Sequence, residues 1–143
     1  MQPNFTIHKL HNVEEMEKHY DLVHKLTPQL SVSRYKELLA IMVKNHYRQV
    51  AVFDQGHAIA LSGYWMNAKL YSGEYLEIDN FIVDESYRSK GVGRLLVSWL
   101  EEEAKLHDCK VMMLDAYTEN DGAHRFYKRE GFHIRGFHFL KWM

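Results

Sequence analysis

Arg88-Ser89-Lys90-Gly91-Val92-Gly93-Arg94 is the stretch on which the reading of this chain turns. Ahead of it, Glu74 to Asp84 reads as a strand. Behind it, Val92, Leu95, Leu96, Trp99, Leu100 and Ala104 recur at helical spacing, while Arg94, Ser98, Glu101, Glu102 and Lys105 cover the opposite side. The heptapeptide therefore joins a strand to an amphipathic helix. Two glycines let the backbone turn sharply and approach a ligand closely, so several N–H groups at the helix start can converge on an anion. Arg88, Lys90 and Arg94 add full positive charges, and a diphosphate is the natural guest because it carries enough anionic oxygens to satisfy such a cradle. A surface loop with chance basic residues shares the composition but not the strand-loop-helix setting. A dinucleotide fingerprint would need glycine where Leu96 stands, and the Gly-Lys-Ser/Thr of nucleotide hydrolases is absent.

Outward from the loop, the chain reads as alternating elements. A strand is expected over Asn4 to Lys9, a helix over about Val13 to Lys25 ending near Thr27-Pro28, and a second helix over about Ser33 to Asn45. Strands follow at Gln49 to Asp54 and Ala58 to Tyr71, joined by a turn at Gln55-Gly56, and Ser72-Gly73 turns the chain into Glu74 to Asp84. Past the amphipathic helix come a strand from Lys110 to Ala116 and a helix opened by the cap-like pair Asn120-Asp121. Lys128 and Arg129 sit in its last turn and Gly131 just beyond it. A final strand pair is expected over Phe132 to Trp142. The order β-α-α-β-β-β-α-β-α-β is an α/β fold, a mixed central sheet with helices on both faces. With no linker and no repeat, residues 1 to 143 read as one domain.

The Arg88-x-x-Gly91-x-Gly93 loop entering a helix resembles the acetyl-CoA pyrophosphate loop of the GNAT superfamily of N-acetyltransferases. Asn120 to Phe132, an Asn-led helix ending in Phe126-Tyr127-x-x-x-Gly131-Phe132, is similar to that superfamily's other characteristic segment. Together they cover about residues 74 to 140, and the run from Ala123 to Gly131 looks most like aminoalkylphosphonate N-acetyltransferases. The resemblance implies acetyl transfer from acetyl-CoA to the primary amine of a small molecule by direct attack. It also implies that Phe81, Ile82 and Val83, the loop from Arg88 through Ser89, Lys90, Gly91, Val92 and Gly93 to Arg94, and Asn120 and Tyr127 hold the cosubstrate.

Such a transfer needs an uncharged amine, a stabilised carbonyl oxygen and a proton for the departing thiolate. An amine of pKa about 10.4 is neutral in only about one molecule in 10³ to 10⁴ at pH 7, so a base or water relay helps. Glu77 and Asp79, two apart on a strand, point to one face of a regular pleat. The resemblance favours Glu77 as the water-relaying glutamate, with Asp79 beside it; salt-bridged or exposed carboxylates are the alternative. Apolar residues alternate at Leu76 and Ile78 and then slip into the run Phe81-Ile82-Val83. A β-bulge near Asp79 to Phe81 gives that pattern, and so does a strand end buried on both faces. In the superfamily such a bulge frees a backbone N–H for the thioester oxygen. Tyr127 matches the tyrosine whose hydroxyl meets the CoA sulfur, and a phenol of pKa near 10 can donate to a thiolate at neutral pH. Asn120 is read as a helix cap and as a partner of the pantetheine arm.

Composition sets the outer bounds. With 18 Lys+Arg against 19 Asp+Glu and a net charge of −1, the chain lacks the concentrated basic face of a nucleic-acid binder. The charge is skewed, net −3 over residues 1 to 87 and net +2 over residues 88 to 143. No apolar run approaches the roughly 20 residues of a membrane span. The lone Cys109 and the lack of a charged-then-apolar leader at Met1 to Leu10 point to the cytoplasm. The spacing of the ten histidines suggests no metal site, and the habit of the superfamily makes a homodimer the expectation. Two rivals share the cradle: a protein or peptide acetyltransferase, and a non-catalytic acyl-CoA-binding module.

Overall fold

The computed structural model describes residues 4–143. Its spine is one sheet in the order β1-β2-β3-β4-β5, built from β1 (Phe5–Leu10), β2 (Tyr47–Asp54), β3 (His57–Lys69), β4 (Gly73–Val83) and β5 (Val111–Leu114). Neighbours among the first four strands pair antiparallel, and β5 runs parallel to β4. The sheet is therefore mixed, as the sequence leads one to expect.

The pleat sorts side chains onto two cores. On one face Val50, Val52, Tyr64, Leu76 and Ile78 meet Val92, Leu96 and Leu100 of α4 (Val92–Leu106). On the other, Tyr47, Ala51 and Leu61 meet Met16, Leu22, Val23, Tyr35 and Leu39, contributed by α1 (Val13–Glu17), α2 (Tyr20–Leu26) and α3 (Val32–Lys44). Each helix buries one apolar stripe, so neither face of the sheet is left wet.

Two expectations are corrected. The single helix over Val13 to Lys25 is two, broken at Lys18-His19. The break lets Met16 of α1 and Leu22 and Val23 of α2 each turn toward the sheet. Tyr20 pins the start of α2 by donating its hydroxyl hydrogen to the Leu30 carbonyl. The strand pair over Phe132 to Trp142 is absent: no strand follows α5 (Asp121–Arg129). Phe137 and Phe139 alternate as a strand would, but they lie 82 and 90 % exposed, and Trp142 beyond them 88 %. Alternation marks a segment able to pair, and this one has no neighbour on the sheet.

Candidate active site

Four pieces of backbone meet beside the C-terminal half of β4. The first is a β-bulge. Register between β3 and β4 shifts between Leu61 and Gly63, whose partners are Ile82 and Asp79, so Asn80 and Phe81 stand opposite Ser62 alone. The phase of β4 inverts across it. Leu76 and Ile78 face α4 before the bulge, while after it Phe81 and Val83 take that side and Ile82 turns to the opposite core. Of the two readings of the apolar slip, the bulge is the one the structure holds.

The second piece is the end of the β4–β5 ladder. It runs from Tyr75↔Val111 to Ile78↔Leu114 and stops, although β4 continues to Val83. The bulged half of β4 thus has no partner on its β5 side, and its peptide groups are available to a ligand between the strands.

The third is the Arg88 to Arg94 loop, whose two glycines do different work. Gly91 has φ +79° with nothing within 4 Å of a Cβ placed there, so it serves a left-handed turn. Gly93 lies inside α4, where a Cβ would meet the Phe126 ring at 3.1 Å and Phe81 at 3.8 Å. Its missing side chain lets α4, the bulge and α5 close on one another. Gly91 is the N-cap of α4 and offers no side-chain cap, whereas Asn12, Ser31 and Asn120 cap α1, α3 and α5. The first N–H groups of the 15-residue α4 are therefore donors left for an outside anion. Arg88, Ser89 and Lys90 are exposed around them. Lys90 Nζ lies 5.2 Å above the Tyr87 ring, and Arg94 Nε reaches Glu130 Oε2 at 3.6 Å. Val92 is buried and holds the helix to the sheet.

The fourth is α5. Asn120 Oδ1 accepts from the Ala123 N–H at 3.1 Å, which is the capping role; its amide nitrogen carries no other bond among the described residues. At the other end Gly131, at φ +98°, closes a Schellman motif. The Phe132 N–H donates to the Tyr127 carbonyl at 2.9 Å and the Gly131 N–H to the Lys128 carbonyl at 3.1 Å. Phe132 also packs edge-on to Tyr127, 5.7 Å between ring centroids. Tyr127 is thereby clamped with its ring 5.9 Å from Phe81 and 5.1 Å from Phe126. Burial pushes its phenol well above the ordinary value, so it holds its proton throughout the neutral range.

The two carboxylates share a face but differ in surroundings. Asp79 accepts from Trp65 Nε1 at 2.9 Å. Glu77 has no hydrogen bond among the described residues, and its pKa is raised, first by burial and then by the nearby Asp115 and Asp79 charges. Asp115, which sequence reasoning passed over, lies just past β5 and takes His138 Nδ1 at 3.2 Å. Its adjacency to Glu77 depends on the parallel pairing of β4 with β5, which no local signal encodes. Glu103, the one fully buried carboxylate among the described residues, receives the Tyr64 hydroxyl at 2.7 Å and Lys9 Nζ at 2.9 Å and so belongs to the core. Among the described residues no group of three or more His, Cys, Asp or Glu could hold a metal ion, and no helix is long and apolar enough to cross a membrane.

Comparison with known proteins bears on the family and the fold. Residues 10–132 match the model of a family described as the acetyltransferase (GNAT) family. The uncharacterized N-acetyltransferase YhdJ of Bacillus subtilis is 27% identical over 135 residues, 93% of this chain and 95% of that protein. The aminoalkylphosphonate N-acetyltransferase of Salmonella typhimurium is 30% identical over 97 residues, 67% of this chain and 62% of that protein. The spermine/spermidine N(1)-acetyltransferase of B. subtilis is 26% identical over 102 residues, 64% of this chain and 63% of that protein. Among solved structures, an aminoglycoside N-acetyltransferase, AAC(6')-Iy in complex with CoA, shares the fold with a TM-score of 0.85 at 18% identity, covering 99% of this chain and 97% of the other.

Proposed function

The chain belongs to the acetyltransferase (GNAT) family, and on that premise we propose that it moves the acetyl group of acetyl-CoA onto the primary amine of a small molecule in the cytoplasm, residues 1 to 143 forming one catalytic domain. The observation that carries this reading is the meeting of the uncapped α4 start, the β4 bulge and Tyr127 around Phe81.

Acetyl-CoA supplies an acyl thioester, and each piece of the site answers one need of its transfer. The Gly91 to Gly93 amides with Arg88 and Lys90 hold the diphosphate. Arg94, shared with Glu130, steadies the same turn. Ser89 and Val92 shape the loop, and Asn120 offers its free amide to the pantetheine arm. The bulge at Phe81, continued by Ile82 and Val83, presents a peptide N–H to the carbonyl oxygen. Glu77, whose raised pKa makes it a better proton acceptor than an ordinary carboxylate, takes the proton from the amine directly or through water. Asp79, already engaged by Trp65, orients that side of the pocket. Tyr127 gives its proton to the departing sulfur.

Glu77, Asp79 and Asp115 gather negative charge on the acceptor side. That favours an acceptor bearing positive charge, as in the relative named for spermine and spermidine, over one bearing a phosphonate. Half-exposed Met113 and Leu114 on β5 and the uncovered Phe137, Phe139 and Trp142 support a homodimer in which these surfaces meet. The test of the reading is acetyl-CoA offered with a panel of mono- and polyamines while free thiol is followed. Thiol release with at least one amine is expected, and folded protein that releases none with any of them refutes it.

A further inference from the structure

Asn80 adopts φ +54° within β4, a left-handed conformation that is uncommon for non-glycine residues, although asparagine takes it more readily than most, and that interrupts the extended strand. It has outside support. Tyr47, at the start of β2, is buried at 3 % exposure, and its hydroxyl donates to Asn80 Oδ1 at 2.8 Å. The direction of that bond is fixed from behind. Gln49 Nε2 donates to the Tyr47 oxygen at 3.0 Å and to the Tyr35 oxygen at 2.9 Å, which leaves the Tyr47 hydrogen for Asn80. The phenol reaches Asn80 by crossing β3 at Gly63, where a Cβ would lie 2.1 Å from the Tyr47 hydroxyl. Gly63 is also the residue at which the β3–β4 register shifts. The Tyr47 ring packs, tilted by 55°, 4.9 Å from Trp65, whose Nε1 in turn holds Asp79. Asp79, the last paired residue before the bulge, and Asn80, the first residue within it, are therefore tethered by side chains from β3 and β2.

We propose that Tyr47 is a positioning residue for acetyl transfer: passing over Gly63, its hydroxyl holds Asn80 in the left-handed conformation that makes the β4 bulge and so aims the peptide N–H meant for the thioester oxygen. This rests on the acetyl-transfer reading of the bulge and adds to it the device that sets the bulge. A preorganised donor contributes only if it is already aimed when charge develops on the oxygen. Losing the tether therefore lowers kcat and leaves the grip on the diphosphate, at the far end of the site, unchanged.

The experiment compares wild type, Tyr47→Phe, Asn80→Gly and the double variant, with thiol release for kcat and KM and calorimetry for acetyl-CoA binding. Tyr47→Phe keeps the ring against Trp65 and removes the tether. Its kcat should fall roughly 10- to 10²-fold, less than the loss of a whole oxyanion donor, with KM and Kd for acetyl-CoA within about threefold of wild type. Glycine adopts the left-handed conformation untethered, so in the Asn80→Gly background adding Tyr47→Phe should change kcat by less than about threefold. The carbonyl ¹³C resonance of bound [1-¹³C]acetyl-CoA should move toward its free position in Tyr47→Phe. Should that variant fail to fold, Asn80→Ala, with a Cβ at positive φ and no amide to tether, must show the same kcat loss. An unchanged kcat in Tyr47→Phe, an equal loss in both backgrounds, or a change confined to KM overturns the proposal while leaving acetyl transfer standing. Wild type that releases no thiol overturns both.

Discussion

Tyr127→Phe separates chemistry from packing at this site. The ring of Tyr127 is held edge-on by Phe81, Phe126 and Phe132 at centroid distances of 5.9, 5.1 and 5.7 Å, and phenylalanine keeps all three contacts. The hydroxyl has no hydrogen-bond partner among the described residues, so its removal strands no buried group, and stability should stay within about 0.5 kcal/mol. What is lost is the proton for the leaving thiolate. General acid catalysis contributes typically 10²- to 10⁴-fold, and a thiol whose own pKa is near 8.5 leaves with modest help. The low end applies, about 10²-fold in kcat or ~2.7 kcal/mol of barrier. The assay is thiol release at saturating acetyl-CoA and amine, paired with thermal unfolding. The expected result is the kcat loss with an unchanged melting temperature. Because burial raises the phenol's pKa, wild type should also show no alkaline loss of rate from this group below pH 10. An unchanged kcat, or a kcat that falls only together with the melting temperature, would make Tyr127 a packing residue and nothing more.

Other consequences follow from the same geometry. Glu77→Gln should slow turnover by roughly 10²- to 10⁴-fold, and wild-type kcat/KM should decline with acid at a pH above that of an ordinary carboxylate. Since Glu77 binds its proton more tightly folded than unfolded, its contribution to stability is present below the ordinary carboxylate pKa and is lost as pH rises through the raised value. The Gln variant should accordingly be the more stable protein at pH 7 and gain nothing at pH 3, which unfolding at the two pH values reads directly. Gly91→Ala meets open space but must hold φ +79°. About 1 kcal/mol of strain follows, a fall of roughly 3–5 °C in melting temperature, with weaker acetyl-CoA binding by calorimetry. A chain ending at Phe132 should sediment as a monomer if the exposed tail forms the contact between copies, and an unchanged dimer would exclude that tail.

How much of this was legible in the sequence depends on how far apart the interacting residues lie. The loop, the apolar stripe of α4, the Asn120 cap and the Gly131 stop are local features, and all appear where the sequence places them. The slip of phase between Ile78 and Phe81 was legible, but it fitted a bulge and a strand end buried on both faces equally, and only the register against β3 decides for the bulge. The tethers were not legible. Tyr47 to Asn80 spans 33 positions and Trp65 to Asp79 spans 14, and both depend on strand register. Gly63 reads as an ordinary strand glycine until the phenol crossing it is seen. The break at Lys18-His19 carries no proline or glycine and follows from the need of α1 and α2 to face one sheet. The tail was misread because Phe137 and Phe139 carry strand periodicity, which states a capacity to pair and not the presence of a partner.

The measurement closest to the heart of the matter is an amide-resolved titration of the ¹⁵N-labelled protein with acetyl-CoA. Saturable shifts should concentrate on the amides of Lys90 to Gly93 at the α4 start and of Phe81 and Ile82 at the bulge, with the core strands β2 and β3 nearly still. Binding that leaves those amides unmoved and perturbs another surface, or no binding at all by folded protein, would contradict the assignment of this site.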